Sequence, residues 1–192
     1  MNGKAKRATE DPLRIVLGCV IDSSGEFIFM GKHKRLKTIV PVVSGHAHEG
    51  EDIYDALRRE GRQEALNLAG YIINTQINED EIKNFENRRG SRFYPIPFDD
   101  GSYNDPMIGR RAHYFCYLIR AENPYLIVPN REFEYAEWMK RSEISANCEI
   151  IPTIKKIAEK AFKSYDQWKE FIRTHRVPDE IAKKKFLPPT PR

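Results

Sequence analysis

The sequence predicts an α/β domain, and three observations carry that prediction. Leu13 to Ile21 and Ala112 to Ile119 are apolar runs of strand length, the first rich enough in β-branched residues for a strand buried on both faces. Ile53, Leu57, Gly61, Ala65 and Leu68 recur at about 100° per residue and mark one stripe of an amphipathic helix. Ile151, Ile154, Ile157, Ala158 and Ala161 repeat that spacing nearer the C-terminus. A chain of 192 residues is the size of one domain and long enough for a proper core.

Taken in order, residues 1–11 are polar and expected to be flexible. After the first strand, Asp22-Ser-Ser-Gly25 is a hairpin turn and Glu26 to Gly31 the partner strand. Lys32-His33-Lys34-Arg35 is a basic strand end, either a grip for phosphates or a solvated loop. Thr38 to Val43 is one more short strand, with Pro41 favouring an edge or an irregular position. Asp52 caps the first helix and Gly70 reads as its C-terminal stop. Tyr71 to Ile77 is a strand, and Asp80 to Asn87 a short polar helix or loop. Arg88 to Arg111 is the long irregular stretch. Its arginines and aromatics could hold phosphate and stack a base, or Phe93, Tyr94 and Phe98 could form a core strand. Cys148 to Phe162 and Tyr165 to His175 read as two helices, the second stopped by Pro178. Residues 178–192 read as a flexible tail.

Hydrophobic residues make up 40% of the chain and charged ones 31%, ordinary for a soluble globular protein. A net charge of +4 suits anionic substrates such as nucleotides. The basic ends (Lys4, Lys6 and Arg7; Lys183 to Lys185 and Arg192) are either solvated or nucleic-acid arms. Cys19, Cys116 and Cys148 form no disulfide framework or zinc pattern, which favours a reducing compartment. No apolar leader follows the basic start, and Ile15 to Ile21 is too short to span a bilayer, so a cytoplasmic protein without membrane contact is expected.

The chemistry concentrates between Val43 and Asn67. Gly45 to Gly50 has the spacing of a phosphate-cradling loop, but Glu51 and Asp52 stand where Lys and Ser or Thr would follow. Carboxylates repel a phosphate unless divalent cations, which take oxygen ligands, stand between them. On the helix, Glu60 borders the apolar stripe and Glu64 falls inside it. Two carboxylates four apart repel by about 0.2–0.5 kcal/mol on an exposed helix, and burying one unpaired costs more. A bound cation offsets both costs. The other reading is a solvated acidic face partnered by Arg59 and Arg62. A transition-metal site at His46-x-His48 fits less well, because carboxylate-rich surroundings prefer magnesium or manganese. No serine or cysteine nucleophile elbow is present.

These residues resemble the signature of the Nudix hydrolase family, G-x5-E-x7-R-E-U-x-E-E-x-G-U with U a bulky aliphatic. Gly45, Glu51, Arg59, Glu60 and Glu64 fall on motif positions. Gly61, Gln63, Leu66 and Asn67 depart from it, and His48 replaces a frequent Glu in the first gap. Glu132, six residues before Trp138, resembles the late family segment that supplies a further ligand or base. The resemblance implies an α/β/α sandwich with a mixed sheet over residues 12–162. An additional C-terminal helix at 163–177 would cap the substrate site, form a homodimer contact or complete the core.

The resemblance also implies site roles. Glu60, Glu64 and Glu132 would be the catalytic and metal-binding carboxylates, joined by Gln63 and the Ser44 carbonyl, around Mg2+ or Mn2+. Gly45, Glu51 and Arg59 would position loop against helix. Lys34, Arg110 and Arg111 are candidates for phosphate contacts. The implied function is hydrolysis of a pyrophosphate bond in a nucleoside diphosphate derivative. The alternative is a catalytically weak Nudix-fold module that binds a nucleotide or RNA, which Gln63, Leu66 and the basic ends favour.

Overall fold

The computed structural model of the protein describes residues 12–87, 95–105 and 110–186. Strand β1 (Leu13–Ile21) buries its last six residues in unbroken succession, so both faces of the sheet are covered there. Asp22 closes the following turn, its Oδ1 accepting from the N–H groups of Gly25, Glu26 and Phe27. Strand β2 (Phe27–His33) then returns antiparallel to β1.

The single strand expected over 38–43 is two. β3 (Ile39–Pro41) pairs with β2, and β4 (Val43–His46) pairs with β1. Pro41 has no N–H with which to continue a ladder, so the chain changes partner there. Helix α1 (Ile53–Glu64) starts on Asp52, whose Oδ1 accepts from the N–H groups of Tyr54 and Asp55. It stops at Glu64, short of the expected end. Ala65–Leu66 leave it as the two-residue strand β5, and Asn67 turns the chain with φ of 63°. Gly70 is not a helix cap; it opens β6 (Gly70–Ile73), where an added Cβ would lie 2.3 Å from the Arg120 carbonyl oxygen. Close approach of two backbones, rather than a cap, demands this glycine.

Helix α2 (Glu79–Asn87) follows, then β7 (Asp99–Asp105) and β8 (Arg110–Ala121). β7 corrects the expectation of an irregular stretch: it pairs antiparallel with β8 from Asp99↔Cys116 to Asp105↔Arg110. Its polar Asp-Asp-Gly-Ser start hides it, because a strand with one partner needs no apolar run. Residues 1–11, 88–94 (with Phe93 and Tyr94), 106–109 and 187–192 lie outside the described residues, and so do the expectations placed on them. β9 (Val128–Pro129), β10 (Phe133–Lys140), α3 (Arg141–Ala146), α4 (Pro152–Thr174), α5 (Asp179–Ala182) and β11 (Lys183–Phe186) complete the order.

Among the described residues the main sheet has nine strands along the path β10-β2-β1-β8-β6-β11, with β3, β4 and β7 on their partners. β1 and β8 run parallel and the other pairs antiparallel, so the sheet is mixed. α1 packs on β1 and β4, and α4 on β8 and α3, giving the α/β/α sandwich. β5 and β9 form a separate small ladder.

The C-terminal region departs from expectation twice. The two helices are one, because Ile154, Ile157, Ala158, Ala161, Phe162, Tyr165 and Trp168 continue a single buried face. The expected boundary between residues 162 and 163 therefore falls inside α4. The expected tail is built into the fold at least to Phe186: β11 pairs with the open edge of β6, and Trp168 Nε1 donates to the Ala182 carbonyl at 3.2 Å. Phe186 is 2% exposed, and an added Cβ at Gly61 would lie 2.7 Å from its ring. Phe186→Ala should cost about 3–5 kcal/mol in denaturant unfolding, the usual loss for a buried aromatic. A shift within the noise of a surface substitution would mean that the strand does not hold.

Candidate functional site

β4 and α1 meet where the acidic residues lie. Gly45 has no side chain, and the Glu60 carboxylate occupies that space: an added Cβ would sit 2.2 Å from its carboxyl carbon. Ser44 donates its backbone N–H to Glu64 Oε2 at 2.5 Å. Arg59 ties the loop to the helix. Its Nε and Nη2 grip the two Glu51 oxygens at 3.0 and 2.9 Å, and Nη2 also donates to the His46 carbonyl at 2.7 Å. Glu51 Oε2 accepts in turn from the His48 N–H at 2.8 Å. Such a fork-on-fork pair fixes geometry as well as charge. The remaining Arg59 nitrogen, Nη1, pairs with Glu60 and lies 3.4 Å from the Gln63 amide oxygen.

Glu132 arrives from the other side of the chain. Asn130 steers it: the Asn130 N–H donates to the Glu64 carbonyl at 2.9 Å, and its side-chain oxygen accepts from the Glu132 N–H at 2.8 Å. The β5–β9 ladder extends this tether, pairing Ala65 with Pro129. Ligand atoms of His33, Glu64 and Glu132 consequently lie within 4.8 Å of one another. Glu134, close behind in sequence, points elsewhere and pairs with Lys37 at 2.9 Å. The β10–β2 register shifts between Phe133 and Tyr135, which separates the two glutamates.

The electrostatics of the three carboxylates are unequal. Glu64 is 4% exposed, and burial pushes its carboxyl up to about 9; the Ser44 N–H opposes that rise, while Glu60 and Glu132 add to it. Burial also raises Glu60, against the pull of Arg59, and the charges of Glu132 and Glu51 raise it further. Glu51 behaves oppositely, held down to about 2 chiefly by the Arg59 guanidinium. The charge of Glu132 thus raises both Glu60 and Glu64, and that of Glu60 raises Glu64 as well.

The structure brings together Ser44, Gly45, Glu51, Arg59, Glu60, Glu64 and Glu132. Gln63 is exposed, with its amide turned to Arg59. Lys34 lies beside Glu132, its N–H bonded to the Glu132 carbonyl and its Nζ on the Arg131 carbonyl at 2.6 Å. Arg111 is exposed near the start of β8, with β1 between that strand and β2. The side chain of Arg110 lies outside the described residues. Asn130 was not legible as a site residue, and His33 was legible only within a basic strand end that could grip phosphates, not as a neighbour of Glu64 and Glu132; only the chain's path unites them. A surface depression lined by Lys140, Arg141, Glu159 and Asp166 opens beyond the opposite end of β10 from Glu132, and Arg141 pairs there with Glu159 and Asp166.

A mixed sheet carrying an acidic loop–helix unit, joined by one more glutamate from the turn before β10, defines a class of α/β domains built around a carboxylate cluster. Within that class, a family model described as NUDIX domain matches residues 11–165, and the chain belongs to that family. No curated protein sequence matches the chain. Solved structures share its fold. A NUDIX-family hydrolase from Clostridium perfringens aligns at 18% identity with a TM-score of 0.60, over 81% of this chain and 97% of that one. A protein from Jonesia denitrificans, described as a possible asymmetric diadenosine tetraphosphate hydrolase, aligns at 15% with a TM-score of 0.56, over 82% and 97%. The Ap4A hydrolase of C. elegans aligns at 14% with a TM-score of 0.52, over 85% and 99%.

Proposed function

We propose that this chain hydrolyses a pyrophosphate bond in a nucleoside diphosphate derivative, with Mg2+ or Mn2+ held by Glu60, Glu64 and Glu132. The observation that carries the reading is the convergence of these three carboxylates, one of them almost fully buried with a backbone N–H as its donor. Carboxylate oxygens in this number suit hard divalent cations and are costly without them. When bound, such ions lower the pKa of a water and stabilise charge on the phosphoryl oxygens.

The protein's own contribution is positional. Ser44 orients Glu64 through its N–H, and the Ser44 carbonyl is a further candidate ligand. Gly45 leaves the room that Glu60 takes, and the Glu51–Arg59 pair holds the loop in place. Glu60 or Glu132 accepts a proton from the attacking water. Lys34, next to Glu132, would meet a phosphate arriving at the carboxylates, and Arg110 and Arg111 remain candidates for the far end of the substrate. Gln63, lacking charge and turned to Arg59, adds little to the ligand set.

Two of the fold neighbours are named for diadenosine tetraphosphate, so dinucleoside polyphosphates belong first in a substrate panel. Mononucleotide release that requires Mg2+ or Mn2+ is the expected result. No release from any substrate would promote the second reading, a nucleotide- or RNA-binding module, which exposed Gln63 and Leu66 at two motif positions favour. For the membrane expectation, no helix among the described residues is long and apolar enough to cross a bilayer. A cytoplasmic location and a homodimer through α4 remain proposals.

A further inference from the structure

His33 sits among the carboxylates, and its surroundings determine which ring nitrogen carries the proton. Nδ1 faces two backbone donors, the N–H groups of Arg35 at 3.1 Å and Leu36 at 3.3 Å. A nitrogen that accepts from N–H groups must offer its lone pair, so the single proton of the neutral ring lies on Nε2. Nε2 faces Glu132 Oε2 at 3.5 Å. That is slightly long for a hydrogen bond, but contacts of this kind commonly tighten when a site is loaded.

We propose that His33 is a positioning residue, donating Nε2–H to Glu132 Oε2 and leaving the other Glu132 oxygen for a cation, rather than a metal ligand itself. Ligation through Nε2 would drive the proton onto Nδ1, against both backbone N–H groups. The ring is also well suited to orient an exposed partner. It is 9% exposed, packed edge-on to Phe133 at 5.5 Å, and its backbone closes on Thr38 and Lys37 through hydrogen bonds of 3.0 and 2.9 Å. The Glu132 side chain is 60% exposed and needs such a partner. A carboxylate held by an outer-shell imidazole binds a cation in a fixed orientation. The protein's ligands to the cation are then all oxygen atoms, which favours magnesium or manganese over zinc. This inference rests on the metal-site reading above and specifies who ligates.

Two measurements test it without substrate, so failure of the hydrolase reading leaves them interpretable. Long-range proton–nitrogen NMR of the neutral His33 ring in the metal-free full chain should show the proton on Nε2. Protonation on Nδ1 overturns the proposal. Titration with Mn2+ alone should then show His33→Leu weaker than the parent by about 10- to 100-fold, the range for outer-shell losses. His33→Gln, which keeps an amide N–H near the Nε2 position, should lie nearer the parent. Parent-like Mn2+ affinity in His33→Leu, or His33→Gln as weak as His33→Leu, also overturns it. Thermal unfolding of both variants checks that they are folded, and the NMR reading stands on the parent protein if they are not.

Discussion

Glu64→Gln should lower cation-supported turnover by more than about 100-fold, beyond the range typical of outer-shell changes. The substitution keeps shape, and the amide oxygen can still accept the Ser44 N–H, so the fold should survive. What it removes is a charge that only a cation can balance. Turnover across the substrate panel and Mn2+ binding should fall together. Unchanged turnover would remove Glu64 from the site.

The same residue makes a pH prediction whose sign follows from its burial. In the metal-free protein its carboxyl is raised from the ordinary 4.5 to about 9. Between those values the folded protein keeps a proton that the unfolded chain has released. Stability should therefore fall as pH rises through that window. Denaturant midpoints in chelator should show this slope for the parent and a flatter one for Glu64→Gln. Saturating Mg2+ should reduce the parent's slope, because the cation binds the ionised, folded form.

Gly45→Ala is the second large effect expected. Gly45 lies in β4, paired with Val16, and has no positive φ, so alanine is acceptable to the backbone. The whole cost is steric. A new Cβ would stand 2.2 Å from the Glu60 carboxyl carbon and 2.3 and 2.6 Å from its oxygens. The carboxylate must swing away, disturbing its contact with Arg59 as well. Mn2+ affinity should drop by about 10- to 100-fold, the scale of a displaced or poorly oriented ligand, while the unfolding midpoint moves little. A parent-like affinity would show that Glu60 is not part of the cation site.

The loop–helix unit was readable because its physics is local. Asp52 caps two N–H groups within three residues, Arg59 reaches back along the first turns of α1 to Glu51, and Glu64 lies where helical periodicity demands an apolar side chain. Each of these follows from spacing along a known geometry. β7 and β11 were not readable, since Asp-Asp-Gly-Ser and Lys-Lys-Lys carry no apolar signal. They are strands because β8 and β6 offer them unpaired backbone, and an edge is satisfied by N–H and C=O groups whatever the side chains.

The sequence by itself determined that an acidic helix begins after a glycine-bearing loop, and that two of its carboxylates face inward at some cost. It could not determine their partners. Only the tertiary structure carried His33 to Glu132 and Asn130 to Glu64, turned Glu134 away onto Lys37 and folded the last basic strand against α1. The reason is that helical and strand periodicities act over a few residues, whereas proximity between residues some hundred positions apart depends on sheet order and register, which no short stretch of chain encodes.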